Sequence, residues 1–245
     1  MPASMIDAVR ERGVLRIPVL WWDPPNEGPP PEWYRDPGTG EPRGVVPELA
    51  RIMADDLGVD LDLIETPWEL MADAVLSGDV DLLMSYTNLP QRALKLDFAG
   101  PLLPDDVMAL VRSSDTASTI SELDREGVTV GVPTASSVIE IARRHFGRAA
   151  LIEVDDPVAA LETGVVDVAV DAAITKPLLE RHPMITTIKA ADGRSLVLGQ
   201  EFGHPALRQG DPRSLNWVRN WLEYHRAQGT IGYWCGTYWK SWMAD

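Results

Sequence analysis

The chain has 245 residues, 45% of them hydrophobic, and a formal charge of -15 from 37 acidic and 22 basic side chains. This length suits one large domain or two lobes of about 100–150 residues, with enough apolar material for a sizeable core. The acidity argues against nucleic acid and anionic membranes as partners, since both need a basic face, and a single cysteine, Cys235, leaves no internal disulfide and no cysteine-based metal site.

The opening "MPASMIDAVRERGVLRI" lacks the apolar stretch of a signal peptide. The expectation is therefore a cytoplasmic protein if the sequence is native, or a periplasmic or extracellular one from which a leader has been removed. No run of about 18 apolar residues is present to insert in a membrane.

"SMIDAVRERG" reads as a short helix capped by Ser4 and stopped by Gly13. "VLRIPVLWW" reads as a strand. The following "DPPNEGPPPEWYRDPGTGEPRG" is rich in Pro and Gly and must be loop or hairpin. "VVPELARIMADDLG" is a helix with proline in its first turn, apolar residues at three-to-four spacing and Gly58 as its stop. "VDLDLIET" alternates as a strand does, "PWELMADAVLSG" is a helix ending at Gly78, and "VDLLMSY" is a strand. Helix and strand thus alternate through the first hundred residues, the signature of a parallel sheet with crossover helices.

A second round follows: strand "VTVGV", helix "SSVIEIARRHFG", strand "ALIEV", helix "DPVAALETG" and strand "VDVAV". Two α/β lobes are the simplest reading. The last segment is helical, and its tryptophans, Trp217, Trp221, Trp234, Trp239 and Trp242, read as packing. Ligands of open α/β sheets sit beyond the carboxyl ends of the strands, so the ends at Trp21–Trp22, Ser85–Thr87, 131–136 and Asp171 are expected to face one cleft.

Four features there can carry binding chemistry. Arg92 follows a strand that ends at Thr87, and a guanidinium binds a carboxylate through two parallel hydrogen bonds; the plain alternative is a solvated surface charge. Asp171 closes an apolar strand, where it can receive an ammonium group or cap a helix beginning near Ala172. The turn "VPTASS" opens a helix whose free N–H groups attract anions, or is capped by Ser136 or Ser137. Trp21, Trp22, Trp33, Tyr34 and Trp68 offer ring faces to a ligand or pack in the core. Other chemistries lack support. His145, His182, His204 and His225 show no metal spacing, and there is no GxSxG, Walker A or GxGxxG motif. No cofactor is expected.

The pieces "GVVPELARIMADDLGV", "PWELMADAVLSGDVDLLMS", "TNLPQRALKLDFAGPL", "GVTVGVPTASS", "LETGVVDVAVD" and "SLNWVRNWLEYHRAQGTIGYWCGTYW" stand in an order that resembles the family 3 extracellular solute-binding proteins, the polar amino-acid receptors of ABC importers. The resemblance covers nearly the whole chain. It implies an α/β, two-lobe periplasmic-binding-protein type II fold with two hinge crossovers, residues 1–109 and 195–245 forming lobe 1 and residues 110–194 lobe 2. It also implies a monomer that closes on a small zwitterionic or carboxylate ligand and delivers it to an ABC permease.

In that family a Thr-x-x-Pro/Asp-x-Arg turn holds the ligand α-carboxylate, which assigns Thr87 and Arg92 of "TNLPQR" to that role, with Ser85 beside them. The acid ending the second-lobe strand receives the α-ammonium, here Asp171. The "PTAS" turn keeps Thr134 and Ser136 but departs at Pro133 and Ala135. Trp68 fills the place of a stacking aromatic, and Trp21 ends the first strand. Tyr86 stands where the family opens with glycine, Leu89 replaces a second Thr, and the loop over 23–44 is longer than usual.

The cyclohexadienyl dehydratases, carbon–oxygen lyases, form a related branch. Their general acid is a Glu three residues after the Asp of the second-lobe strand; here that position is Ile174, which cannot transfer a proton. Glu201 and His204 are the other groups near the expected cleft, so a lyase with a different acid stays open beside the receptor.

Overall fold

Helix α1 (Met5–Arg12) starts where the Ser4 hydroxyl accepts the Asp7 N–H and stops at Gly13, whose φ of 77° is left-handed. The computed structural model describes residues 4–21 and 32–240, apart from Thr116, Ser118, Ala135, Ala173 and Thr175 and the side chains of Leu103, Trp239 and Lys240. These residues form two compact units, one of residues 4–21, 32–103 and 202–240, the other of residues 104–201.

Unit one begins with α1 and β1 (Val14–Val19), then a short antiparallel hairpin of β2 (Tyr34–Arg35) and β3 (Pro42–Arg43). Helix α2 (Val45–Leu57) follows and buries Val46, Leu49, Ala50, Met53 and Leu57, the apolar stripe that its spacing predicts. Gly58 ends it with φ 68°. Strand β4 (Asp60–Glu65) pairs in parallel with β1, Val14 opposite Asp60 through Val19 opposite Glu65. A 3-10 turn at Trp68–Leu70 leads into α3 (Met71–Ser77), and β5 (Leu83–Thr87) comes next with Leu83 and Met84 buried.

Gly44 shows why a glycine precedes α2. Its φ is 113°, and a Cβ there would stand 2.5 Å from the Glu32 backbone oxygen, which also accepts the Val46 N–H. Gly44→Ala is expected to lower stability by about 2–3 kcal/mol, from left-handed strain and a backbone clash together; urea unfolding measures it.

After a second 3-10 turn (Arg92–Leu94) come β6 (Leu96–Phe98) and β7 (Leu103–Arg112). Unit two then runs α4 (Ile120–Leu123), β8 (Thr129–Pro133), α5 (Val138–His145), β9 (Ala150–Val154), α6 (Pro157–Glu162), β10 (Val168–Asp171), α7 (Lys176–Arg181) and β11 (Ile185–Thr187). Strands β9, β8 and β10 are parallel neighbours, and β7 joins antiparallel to β10 and β11. Side chains alternate across a strand, and here both faces are covered. Val107, Ala109 and Val111 of β7 join Val130, Val132, Val168 and Val170 in one apolar cluster, while Met108 and Leu110 join Ala169, Leu161 and Ile174 in the other. Burial on both faces is why "VDVAV" and "VTVGV" read as near-continuous apolar runs.

Strand β12 (Val197–Arg208) carries the chain back into unit one, where it pairs antiparallel with β5 and β6. Helices α8 (Pro212–Ala227) and α9 (Thr230–Trp234) and a π turn at Cys235–Lys240 close the described chain. Trp221 is buried and donates its indole N–H to Asp56 at 2.7 Å, which agrees with a packing role; Trp242 lies outside the described residues.

One expectation about the sheet is corrected. β5 does not extend a parallel sheet with β1 and β4; it pairs antiparallel with β12. Strands β6, β7, β11 and β12 are also additions to the sequence reading. β12 hides its strand character because Gly199, Gly203 and Pro205 interrupt it, and its register shifts between His204 and Ala206, where the proline falls.

Candidate functional site

In unit one the candidate residues gather at the end of β5. Ser85 and Tyr86 are buried and Thr87 is half-buried. The chain then turns through Asn88–Pro90 and brings Arg92 back: its Nη1 donates to the Thr87 backbone carbonyl at 3.1 Å, and its guanidinium carbon stands 4.1 Å from the centre of the Tyr86 ring. A hydrogen bond and a cation–π contact hold the fork in place. Among the described residues Arg92 has no ion pair. Tyr86, which departs from the expected glycine, is the plate on which this arginine rests.

Trp68 opens the 3-10 turn and its ring lies 5.3 Å from that of Tyr86 and 6.5 Å from that of Trp33. Trp33 is buried, and its indole N–H lacks a hydrogen-bond partner among the described residues. Trp21 lies under the Arg35 guanidinium at 4.3 Å, so one face of that ring is already in use. Trp22 and the segment 22–31 lie outside the described residues.

A residue missed by sequence reasoning stands in the same place. Glu32 Oε1 accepts the Ser85 hydroxyl at 3.0 Å. Burial pushes the Glu32 carboxyl up to about 7, against the opposing pull of that hydrogen bond. The contact demands Gly203 on β12, since a Cβ there would fall 2.1 Å from the Ser85 Oγ. The hairpin after Glu32 is braced from behind. Tyr34 meets the Tyr238 ring edge-on at 6.3 Å, and Tyr238 donates to Glu48 of α2, which also binds Arg51 at 2.9 Å. A sequence signal existed: an acid wedged between three prolines and two aromatics in "PPPEWY" is a poor fit for plain solvent loop.

In unit two, Asp171 ends β10 and accepts the Ala172 N–H at 2.7 Å. The expected helix does not begin at Ala172; α7 starts at Lys176. Burial pushes Asp171 up to about 7, and the charges of Asp156 and Glu201 add to the rise, while the Ala172 N–H opposes it. Thr134 donates its hydroxyl to Asp155 at 3.1 Å, and the Ser136 hydroxyl accepts the Val138 N–H at 3.2 Å, at the start of α5. Ala135 lies outside the described residues. Ile174 is buried in the apolar cluster with Met108, Leu110 and Leu161. In unit one, His204 donates its Nδ1–H to the Phe202 carbonyl at 2.7 Å, and burial lowers its pKa. Among the described residues no group of three or more His, Cys, Asp or Glu is placed to hold a metal, and no helix is long and apolar enough to cross a membrane.

The raised Asp171 carboxyl predicts an unusual pH response in the ligand-free protein. An acid whose folded pKa exceeds its unfolded value of 3.8 supports the fold fully below about pH 4, and that support is lost as pH rises through about 7. Asp171→Asn removes the cost of burying the ionised form. It is expected to raise the melting temperature at pH 8 by about 4–8 °C, corresponding to roughly 2 kcal/mol, with the gain shrinking steadily toward pH 4. Calorimetry of both proteins across that range checks it.

A model of the bacterial extracellular solute-binding proteins, family 3, matches residues 25–238. The chain is 25% identical over 233 residues to the L-cystine-binding protein TcyJ of Escherichia coli (strain K12), across 93% of this chain and 83% of that protein. Among solved structures, the ancestral amino acid-binding protein AncCDT-1, a precursor of cyclohexadienyl dehydratase, superposes with a TM-score of 0.75 at 24% identity, covering 96% of this chain and 99% of that one. The cysteine-binding protein of Campylobacter jejuni superposes with a TM-score of 0.76 at 18% identity, covering 99% and 96%. The fold is the two-lobe α/β periplasmic-binding-protein type II fold.

Proposed function

Because the chain belongs to the bacterial extracellular solute-binding proteins, family 3, we propose that it captures a small amino acid or amino-acid-like zwitterion in the cleft between its lobes and hands it to an ABC permease outside the cytoplasm. The observation that carries this reading is Arg92: a guanidinium fixed by the Thr87 carbonyl and the Tyr86 ring, with no ion pair among the described residues. Such a fork is preorganised for a carboxylate.

The ligand carboxylate docks on Arg92 and Thr87 of lobe 1, with Ser85, Trp68 and Trp21 as the surrounding surface. Its ammonium meets Asp171, and the turn of Thr134 and Ser136 completes the second wall. Closure follows because the ligand gains contacts to both lobes only in the closed form. The buried, apolar surroundings of Ile174 favour a receptor over a lyase, since the place of the lyase general acid is filled by a core side chain.

A thermal-shift screen of amino acids, cyclic zwitterions and prephenate, with mass spectrometry of each hit, tests the reading. A rise in melting temperature with the ligand unchanged is expected. Loss of water or carbon dioxide from a hit assigns the chain to the lyase branch instead.

A further inference from the structure

We infer that unit one carries a second binding site, and that it takes a neutral polyhydroxylated ring of the pyranose class. The site is a cavity of about 530 Å³ lined by α1, the last turn of α2 and α8, within the range of about 300–1,000 Å³ common for small-molecule pockets. None of its lining residues is among those assigned to the amino acid, so it goes beyond that reading and does not depend on it.

The three helices bring oriented polar groups to this cavity. On α2, Asp56 Oδ2 accepts the Trp221 indole N–H and the His225 Nε2–H, both at 2.7 Å. Trp221 and His225 are buried, so the carboxylate is held from behind, while its Oδ1 has no hydrogen-bond partner among the described residues. On α1, Arg10 lies one turn after the buried Ile6 and has no ion pair among the described residues. On α8, Arg213 is fixed by Asp7 at 2.9 Å. Asn216 and Asn220 lie four residues apart on that helix, and residues at this spacing are neighbours on one face. Trp217 reads in the sequence as packing, yet it is only half-buried, and its ring has no aromatic or cation–π partner among the described residues.

The balance of charge decides the class of ligand. Arg10 and Arg213 are matched in number by Asp56 and by Asp7, so the cavity favours neither an anion nor a cation. Charge pairs at exposed side chains such as Arg10 are also screened and worth little. What the walls offer instead is donors and acceptors side by side: a guanidinium, two carboxamides and the Asp56 Oδ1. A hydroxyl is donor and acceptor at once, and two hydroxyls on adjacent ring carbons meet both ends of a planar carboxylate, carboxamide or guanidinium. The C–H face of the same ring can be buried on the Trp217 indole. A ring also loses less conformational freedom on binding than an open-chain polyol, which favours the cyclic form.

Fluorine NMR of the protein labelled with 5-fluorotryptophan tests the inference, the Trp217 resonance being the one missing from Trp217→Phe. Methyl α-glucoside and N-acetylglucosamine are the probes, and sorbitol, benzoate and glycine betaine the comparisons. At least one pyranose is expected to shift that resonance saturably, and by more than any comparison compound at equal concentration. Saturation transfer from the protein to the probe gives a second readout that needs no assignment. Arg10→Ala and Asn220→Ala, both at exposed positions, are each expected to weaken the response by about threefold to tenfold, the loss of one hydrogen bond. Arg92→Ala is expected to leave it unchanged. A wild-type protein that responds to neither pyranose, responds equally to sorbitol, or responds more to benzoate or betaine overturns the inference. So does a pyranose response unchanged in both Arg10→Ala and Asn220→Ala, and a response lost in Arg92→Ala places the sugar in the amino-acid site instead. Co-sedimentation with chitin and cellulose separates two sources of the ring: retention released by the soluble probe assigns a polymer-borne sugar, and saturation without retention a free one.

Discussion

Arg92→Ala is expected to reduce affinity for the cognate amino acid by about 100- to 3000-fold, the 3–5 kcal/mol typical of removing one partner from a buried charge pair. The side chain has little else to do. It sits half-buried at the start of a short 3-10 turn, with one hydrogen bond to the Thr87 carbonyl and one ring beneath it. The same change should therefore move the ligand-free melting temperature only slightly, by less than about 1 kcal/mol in stability. Arg92→Lys keeps the charge but loses the fork and the flat stacking surface, so an intermediate loss of about tenfold is expected. Titration calorimetry with a hit from the screen gives the affinities, and a thermal melt gives the stability.

Asp171→Ala is expected to be as damaging to binding for the opposite charge. The carboxyl is anchored by the Ala172 N–H at the end of β10, a strand buried on both faces, so it cannot swing away from its position cheaply. An ammonium that loses this partner gives up about 3–5 kcal/mol, again a loss of about 100-fold or more. Asp171→Asn retains an oxygen for the Ala172 N–H and the shape of the site. It should bind almost as poorly as the alanine variant, because the charge is what the ammonium requires. At pH 8 the asparagine protein is meanwhile the more heat-stable of the two ligand-free proteins. Loss of binding combined with a gain in stability is the signature of an acid kept for a ligand rather than for the fold.

The wild-type protein should show the converse coupling. Binding a cation beside Asp171 favours its ionised form, so ligand uptake near neutral pH releases protons. The share of that release that comes from Asp171 is lost in Asp171→Asn.

Much of this architecture was written locally. The Ser4 cap, the Gly13 and Gly58 stops and the stripe of α2 depend on residues three or four apart, and those distances are visible in a sequence. The Thr87–Arg92 turn is nearly as local, with its partners five residues apart on one short segment. The Glu32–Ser85 contact could not be read in the same way, because it joins residues 53 positions apart and depends on a glycine in a third segment, Gly203. Strand β12 was hidden for a related reason. Its pairing with β5 comes from the return of the chain into unit one, not from an alternating pattern, and Pro205 at the register shift breaks what pattern there is. Asp171 was legible as an acid closing an apolar strand, but the helix after it was expected near Ala172, whereas α7 starts at Lys176.

The crystal structure of the protein with its cognate amino acid is the most direct test of the central claim. The ligand carboxylate is expected within about 3 Å of the Arg92 guanidinium, and the α-ammonium within about 3 Å of the Asp171 carboxylate, the ordinary distances of charge-assisted hydrogen bonds. A ligand bound with Arg92 or Asp171 turned to solvent contradicts it.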